Sequence, residues 1–270
     1  MSAQSELNAI FEKLAKDYGK LNAKQQEFAI KEVGRVRGDI ADLLADYSTK
    51  DGTIKRQRLS RLLRELDEVE TLMRNYGTTA LDSIIYESAT FASSGINAGM
   101  VSTVGVGAVA SAQLERLNKD VFEYVIKRYG DDGLVLSDRI WRLSGDMRDE
   151  LSKVLRADII RGESVSAMIA NVRKVHDNET WKIRRLVVTE GNTAYRTATS
   201  YNAKRSDIVK GLLIHRGKAN VANHQCTILS KEDRYGLGAG VFKPNDTEIY
   251  SPHPNCTSFL TYVLDGEVLR

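Results

Sequence analysis

Proline is absent from the chain before Pro244, and only 3 prolines occur among its 270 residues. Because proline is the strongest helix breaker, a chain that lacks it can be helical over almost its whole length. Both cysteines and three of the 4 histidines also lie late in the sequence, from His215 onward. The sequence therefore predicts a long helical body followed by a short C-terminal module of different construction.

Other scarcities exclude further classes of protein. Two cysteines are too few for a disulfide scaffold, so reduced thiols and assembly inside a cell are expected. Residues 1–6 contain neither a basic flank nor an apolar run, so a secretory signal is not expected. A membrane-spanning helix needs an uninterrupted apolar run of about 18 residues, which we do not find. The net charge of +3 is too small to imply nucleic-acid binding by itself.

Apolar residues at helical spacing divide the chain into three consecutive regions. We expect an N-terminal helical region at 1–120, a helical core at 121–210 and a small module at 211–270. Within the module, the apolar runs at 211–215 and 259–264 predict two short strands. The predicted fold class is mainly α: a long helical body with a small α+β C-terminal module that contains short strands and a Cys/His loop.

Residues 91–112 differ from the rest of the helical body, because they carry no charge and are rich in glycine, alanine and serine. Glycine in a helix costs roughly 1 kcal/mol relative to alanine, so this segment has little intrinsic helix stability. Three interpretations remain open: a mobile loop, a helix that packs through its small residues inside an assembly, or a segment that inserts in a bilayer or a pore. We expect this segment to be the most mobile part of the body.

Two kinds of residue predict helix boundaries in the second half of the chain. Gly162 predicts the end of one helix, and Ser164 or Ser166 predicts the start of the next, because glycine is favoured just after a helix and serine at its N-cap. Asp177 or Asn178 predicts the start of the last long helix.

The clearest amphipathic helix, at 54–73, has an apolar face and a face that carries arginines followed by acidic residues. One interpretation of the charged face is a solvated surface with ion pairs between neighbouring turns. The other is a patch that contacts DNA phosphates or an acidic partner.

Four stretches carry a resemblance to a known family. They are GLVLSDRIW at 133–141, RADIIRGESVSAMIANVRK at 156–174, RRLVVTEGNTAYRTATSYNA at 184–203 and HPNC at 253–256. In this order and spacing they resemble the minor head proteins of tailed bacteriophages, the Mu F-like head morphogenesis family. The resemblance extends over 133–264, and the preceding helices fit the family only in being helical.

The resemblance implies a low-copy virion component inside the phage head, assembled in the host cytoplasm. Its expected partners are the portal or the major capsid protein, or both, and the packaged double-stranded DNA whose retention and ejection it affects. The segment 91–112 is the candidate for membrane or pore contact during ejection. The candidate DNA contacts are basic residues on helical faces, namely Arg56, Arg58, Arg61, Lys182, Arg184, Arg185, Arg196, Lys204 and Arg205.

The C-terminal module offers four side chains of the types that zinc prefers: His224, Cys226, His253 and Cys256. The set departs from the family pattern, in which a Cys-x-x-Cys loop precedes His-Pro-x-Cys-Arg-Cys, because only one cysteine of each motif is retained. Three alternatives remain open: a structural zinc, a hydrogen-bonded loop without metal, and a disulfide between the two cysteines. We expect no cofactor other than such a zinc, and a larger role for His253 and Cys256 because HPNC keeps the family pattern.

Signatures of catalysis are missing, including a Walker loop, a Gly-x-Ser-x-Gly elbow and a His-Glu-x-x-His helix. Glu190, one turn after Arg184 and Arg185, could be a catalytic carboxylate, but such a residue more often forms an ion pair that fixes helix packing. We therefore expect no enzymatic activity. The alternatives are a toxin-like enzyme, such as a nuclease or an ADP-ribosyltransferase, and a zinc-dependent interaction module.

Overall fold

The computed structural model describes residues 2–217 and 222–266, and seven α-helices and three strands form in this part of the chain. The predicted fold class is confirmed: the protein is mainly α, with a small antiparallel sheet near the C-terminus. The helices are α1 (Ala3–Val33), α2 (Val36–Tyr47), α3 (Leu59–Val104), α4 (Leu114–Lys127), α5 (Leu136–Arg161), α6 (Val165–Ala203) and α7 (Gln225–Leu229). The strands are β1 (Val209–His215), β2 (Val241–Phe242) and β3 (Phe259–Leu264).

The boundary between α5 and α6 agrees with the predicted signals, whereas the predicted start of a later helix does not. Helix α5 ends at Arg161 and is followed by Gly162 with a φ of 76°, and Ser164 Oγ accepts a hydrogen bond of 3.2 Å from Ala167 N at the start of α6. The predicted helix start at Asp177 or Asn178 is wrong, because both residues lie inside α6. Their side chains are exposed, so they do not compete with the backbone hydrogen bonds of the helix.

The sheet has the strand order β2-β1-β3 and is antiparallel throughout. Leu212 of β1 pairs with Phe242 on one side and with Tyr262 on the other, and all three are buried. The side chain of Gln4 borders β3: its Oε1 accepts from Leu264 N at 2.8 Å, and its Nε2 donates to Tyr262 O at 2.7 Å. A side-chain amide thus satisfies backbone groups at the edge of the sheet.

The chain divides into two compact units. Unit 1 contains Met1–Gln25, Asp82–Gly133 and Arg185–Arg270, and unit 2 contains Gln26–Leu81 and Leu134–Arg184. Each unit is assembled from separate stretches of sequence, whereas the sequence analysis divides the chain into consecutive regions. The strands and α7 belong to unit 1, together with the second part of α6.

The core of unit 1 includes a stretch of α6 that is buried on every side. All residues from Val187 to Ser200 are buried, although many are polar. Several side chains bond to the carbonyl one turn earlier: Thr193 Oγ1 donates to Thr189 O at 2.7 Å, and Asn202 Nδ2 donates to Ala198 O at 2.8 Å. These bonds satisfy polar groups that would otherwise be costly to bury.

Most of the segment 91–112 is helical, since α3 extends through its first part. A carbon atom added at Gly95 would overlap the side chain of Leu14, and one added at Gly99 would lie 2.8 Å from Ile10 Cγ2. The structure shows a helix here, and its small residues let it pack closely against α1 of the same chain. Among the described residues, none of the helices combines the length and the apolar character needed to cross a membrane.

Candidate functional site

Three of the four predicted ligand residues meet in unit 1. His224 and Cys226 lie at the start of α7, and His253 lies in the turn before β3. One potential ligand atom from each residue lies within 4.8 Å of the other two. His253 Nε2 is 3.2 Å from Cys226 Sγ, and the ring centroids of His224 and His253 are 4.7 Å apart. Two imidazoles and a thiol at such distances form a group that could hold a metal ion.

The neighbours of His253 determine where its proton lies. Its Nδ1 is 2.9 Å from the carbonyl oxygen of Pro254, which can only accept, so Nδ1 carries the hydrogen. The lone pair of Nε2 then faces Cys226 and accepts a hydrogen bond from its thiol. Burial is the main cause that lowers the pKa of His253 and raises the pKa of Cys226. Both side chains are therefore held in their neutral forms.

Cys256, the fourth predicted ligand, is buried beside the group but is not part of it. Its Sγ lies 3.1 Å from Ser258 Oγ, and its thiol contributes to the raised pKa of Cys226. Both cysteines are free thiols, so the disulfide alternative is wrong. The retained HPNC pattern favours His253 with Cys256, whereas the geometry groups His253 with His224 and Cys226.

Arg196 was predicted to contact DNA, and the structure contradicts this prediction. Its side chain is 1% exposed and cannot reach a phosphate. Instead, Nε donates to Tyr250 O at 2.8 Å, and Nη1 donates to the carbonyl oxygens of Cys256 at 3.1 Å and Ser258 at 3.0 Å. Burial lowers the pKa of Arg196, but a guanidinium stays charged at neutral pH because its ordinary pKa is so high. Arg196 therefore acts as a buried cross-link between α6 and the turn before β3.

Further contacts hold the two segments that carry the His/Cys group. In the turn, Asn255 has a φ of 60°, and its N–H donates to Thr189 Oγ1 of α6 at 2.9 Å. At the start of α7, Gln225 Nε2 donates to Glu248 Oε1 at 2.7 Å. The turn that carries His253 is therefore held against α6, and the start of α7 is held by the side chain of Gln225.

Glu190 forms the expected kind of ion pair, but with a different arginine. Its Oε2 accepts from Arg128 Nη2 at 2.8 Å, and the two side chains are 0% and 7% exposed. Arg184 and Arg185 are exposed, and Arg184 pairs with Glu27 at 2.8 Å. The sequence could not identify Arg128 because it lies 62 residues from Glu190. A carboxylate that is buried against an arginine fixes the packing of α6 and is poorly placed to act as a general base.

Six of the other eight predicted DNA contacts use their charge within the protein, and one of them is Arg184 with its pair to Glu27. Ion pairs join Arg61 to Glu65, Lys182 to Asp146 and Arg205 to Asp120. Arg56 and Arg58 donate to the main-chain oxygens of Ile160 and Tyr47. Of the remaining two, Arg185 is exposed, and Lys204 lies over the ring of Tyr201 with its pKa lowered by burial. These pairings reduce the positive potential that phosphates would meet.

A group of arginines that lines a cleft in unit 2 was not among the predicted site residues. Arg35, Arg37 and Arg173 line this cleft, which has a volume of about 540 Å³. Arg35 pairs with Glu32 at 3.1 Å, and Arg37 approaches Asp177 at 3.7 Å. Arg35 lies between α1 and α2, Arg37 lies in α2, and Arg173 lies in α6. Because the three residues are not all close in sequence, no local pattern reveals the group.

Comparisons of the chain with protein-family models, with curated proteins and with solved structures find no match. Its function therefore has to be inferred from the residues and their geometry.

Proposed function

We propose that the chain is a non-enzymatic minor head protein of a tailed bacteriophage. It resides inside the head in low copy number and binds the portal or the capsid shell. It acts by binding alone, and it affects how packaged double-stranded DNA is held and ejected.

The observation that carries the proposal is the contact between separate family-like motifs. Arg196 belongs to the stretch at 184–203, and one of the carbonyl groups that it binds belongs to Cys256 of HPNC. Thr189 of the same stretch accepts a hydrogen bond from Asn255, also of HPNC. Contact between motifs that are far apart in sequence is expected if they belong to a single structural unit.

The environment of Glu190 supports a role without catalysis. This is the carboxylate that the sequence offered as a catalytic group, and it is fully buried and paired with Arg128. A general base needs to reach a substrate and to exchange a proton near the working pH. A buried ion pair meets neither requirement.

Two exposed tryptophans of unit 2 are the residues best suited to contact a partner in the head. Trp141 on α5 is 57% exposed, and Trp181 on α6 is 56% exposed. Tryptophan is enriched among the residues that dominate protein–protein binding energies. We propose that these side chains contact the portal or the shell.

The arginine cleft of unit 2 supports weak binding to DNA. Arg35, Arg37 and Arg173 all line this cleft. Guanidinium groups bind phosphate oxygens, but the carboxylates near Arg35 and Arg37 limit the attraction. We propose sequence-independent contacts with packaged DNA that weaken steeply as salt rises.

Mass spectrometry of purified virions and procapsids tests the proposal as a whole. We expect the chain in both particles, at a few copies relative to the major capsid protein. A non-structural phage protein made at the same time controls for carry-over. Absence of the chain from both particles would contradict the proposal.

Tryptophan variants test the partner surface. We expect Trp141→Ala combined with Trp181→Ala to reduce incorporation into particles, while the protein stays folded. Tyr129→Ala is the matched control, since Tyr129 is 76% exposed but belongs to unit 1. Equal incorporation of all variants would exclude these side chains as contacts.

Salt-dependent DNA binding tests the arginine cleft. We expect the Gln variant of Arg35, Arg37 and Arg173 to lower the slope of log affinity against log salt by roughly one per lost phosphate contact. The matched control replaces the same number of arginines outside the cleft, namely Arg56, Arg61 and Arg184. An equal effect of the two triple variants would show that the cleft has no special role.

A further inference from the structure

We propose that His224, Cys226 and His253 bind one Zn²⁺ ion as a set of three protein ligands, with Cys256 outside the set. The ion joins the start of α7 to the turn before β3. This site belongs to unit 1. Its ability to bind zinc does not depend on whether the chain is part of a virion.

The separations between the ligand atoms suit zinc. Zinc binds histidine nitrogen at about 2.0–2.1 Å and cysteine sulfur at about 2.3 Å, so tetrahedral ligands lie about 3.3–3.6 Å apart. His253 Nε2 and Cys226 Sγ are already 3.2 Å apart. The His224 atom lies within 4.8 Å of both, so a small movement of one ring completes the set.

The surroundings of the two histidines are those of metal ligands. A histidine that binds a metal through one ring nitrogen usually donates the other N–H to a carbonyl or a carboxylate. His253 already has this arrangement, because Nδ1 faces the carbonyl oxygen of Pro254 at 2.9 Å and Nε2 faces Cys226. The buried Nδ1 of His224 has no hydrogen-bond partner among the described residues. Such unpaired buried groups are rare in native proteins and call for a ligand or another explanation.

The protein positions these ligands before any metal binds. Cys226 is 2% exposed within unit 1. The turn that carries His253 is held to α6 by the hydrogen bond from Asn255 to Thr189, and the start of α7 is held by the bond from Gln225 to Glu248. Little conformational entropy remains to be lost on binding, which favours affinity.

The chemistry of the group selects zinc over the common hard cations. Calcium and magnesium prefer oxygen ligands, and the grouped residues provide two nitrogens and one sulfur. On binding, the S–H bond of Cys226 breaks, its proton passes to solvent, and the sulfur lone pair binds the ion. The thiolate reduces the net charge of the bound ion by one. A water molecule would complete the tetrahedron, since the grouped ligand atoms do not include Cys256 Sγ.

Metal analysis of the full chain purified without chelator tests the site. We expect equimolar zinc in the unaltered protein and background zinc in Cys226→Ser and His253→Gln. Cys256→Ser and His215→Gln are matched controls from the same unit, and both should retain equimolar zinc. Circular dichroism establishes whether each variant keeps its helical fold. A zinc-free native protein that also fails to bind added zinc would overturn the proposal, and so would loss of zinc from Cys256→Ser.

Cobalt substitution of the unaltered protein gives a readout that does not depend on any variant folding. We expect added Co²⁺ to produce the near-ultraviolet charge-transfer band of cobalt bound to one thiolate, and equimolar Zn²⁺ to abolish it. A band with the intensity of two thiolates would place Cys256 in the ligand set and overturn the three-ligand assignment. The absence of any band would overturn the site itself.

Discussion

Buried charged side chains link elements of unit 1 to one another, and Arg196 is the clearest example. Composition counts this residue among the basic residues that are available to bind DNA. The fold instead buries it and directs its guanidinium at carbonyl groups of the C-terminal turn. Sequence reasoning could not foresee this outcome, because the three acceptors are main-chain atoms that any residue type would supply.

Replacing Arg196 should therefore destabilise the protein strongly. We expect Arg196→Met to lower the free energy of unfolding by about 3 kcal/mol or more, because the carbonyl groups of Tyr250, Cys256 and Ser258 lose a charged donor. Arg185→Met on the same helix is the control. Its side chain is exposed, so the expected change is within about 0.5 kcal/mol. Urea denaturation measures both, and equal effects would refute the buried cross-link.

The buried pair of Arg128 and Glu190 should behave as a coupled unit. Removing one partner leaves the other charged and buried, so we expect Arg128→Met and Glu190→Gln each to cost about 3–5 kcal/mol. The double variant should lose clearly less than the sum of the two. A double-mutant cycle measures the difference, and strict additivity would mean that the two side chains do not interact.

Helix α6 shows what local patterns can and cannot predict about an element. Its start after Ser164 was predictable from the capping signal, and its course through Asp177 and Asn178 was not. Its polar stretch near Arg196 also gave no sign of complete burial. Threonine and asparagine are polar by composition, yet the buried side chains of Thr193 and Asn202 each donate a hydrogen bond to a carbonyl of the helix.

The contact of α3 with α1 depends on glycine at the points of closest approach. We expect Gly95→Leu to lower stability by about 1–3 kcal/mol, because the new side chain has to displace Leu14 of α1. Gly145→Leu on α5 is the matched control, since the space around Gly145 is open. That change should stabilise the helix by up to about 1 kcal/mol. Thermal unfolding that shifted in the same direction for both variants would contradict the packing role.

At the scale of the molecule, stability should fall as the solution becomes acidic. Burial lowers the pKa of His176 and His215 below the ordinary value of 6.5. Arg37 adds to the effect at His176 while Asp177 offsets it in part, and Glu12 offsets it at His215. The unfolded state therefore binds more protons once the pH falls below about 6.5, and the free energy of unfolding falls with it.

Denaturation with chelator present, between about pH 7.5 and pH 5.5, measures this effect, since aspartate and glutamate titrate mainly at lower pH. We expect His176→Gln to reduce the slope of stability against pH. An unchanged slope would mean that His176 is as easily protonated in the folded state as in the unfolded state.

Composition and periodicity were sufficient to predict the fold class and the two longer strands, at 211–215 and 259–264. The structure has these strands at Val209–His215 and Phe259–Leu264. The division into two units was not predictable, because it depends on which distant helices pack together. The His/Cys group was predictable only in part. The sequence shows which residues are of ligand type, but it does not show that Cys256 lies outside the group.

The hydrogen bonds from Gln4 to the edge of β3 have a consequence for synthesis on the ribosome. Leu264, which donates to Gln4, is added 260 residues later. At roughly 5–20 residues per second, the N-terminal helix waits for tens of seconds before its partner strand exists. During that interval Phe11, whose ring lies 4.7 Å from that of Tyr262 in the finished protein, lacks this covering. The nascent chain therefore lacks both contacts until β3 has been synthesised.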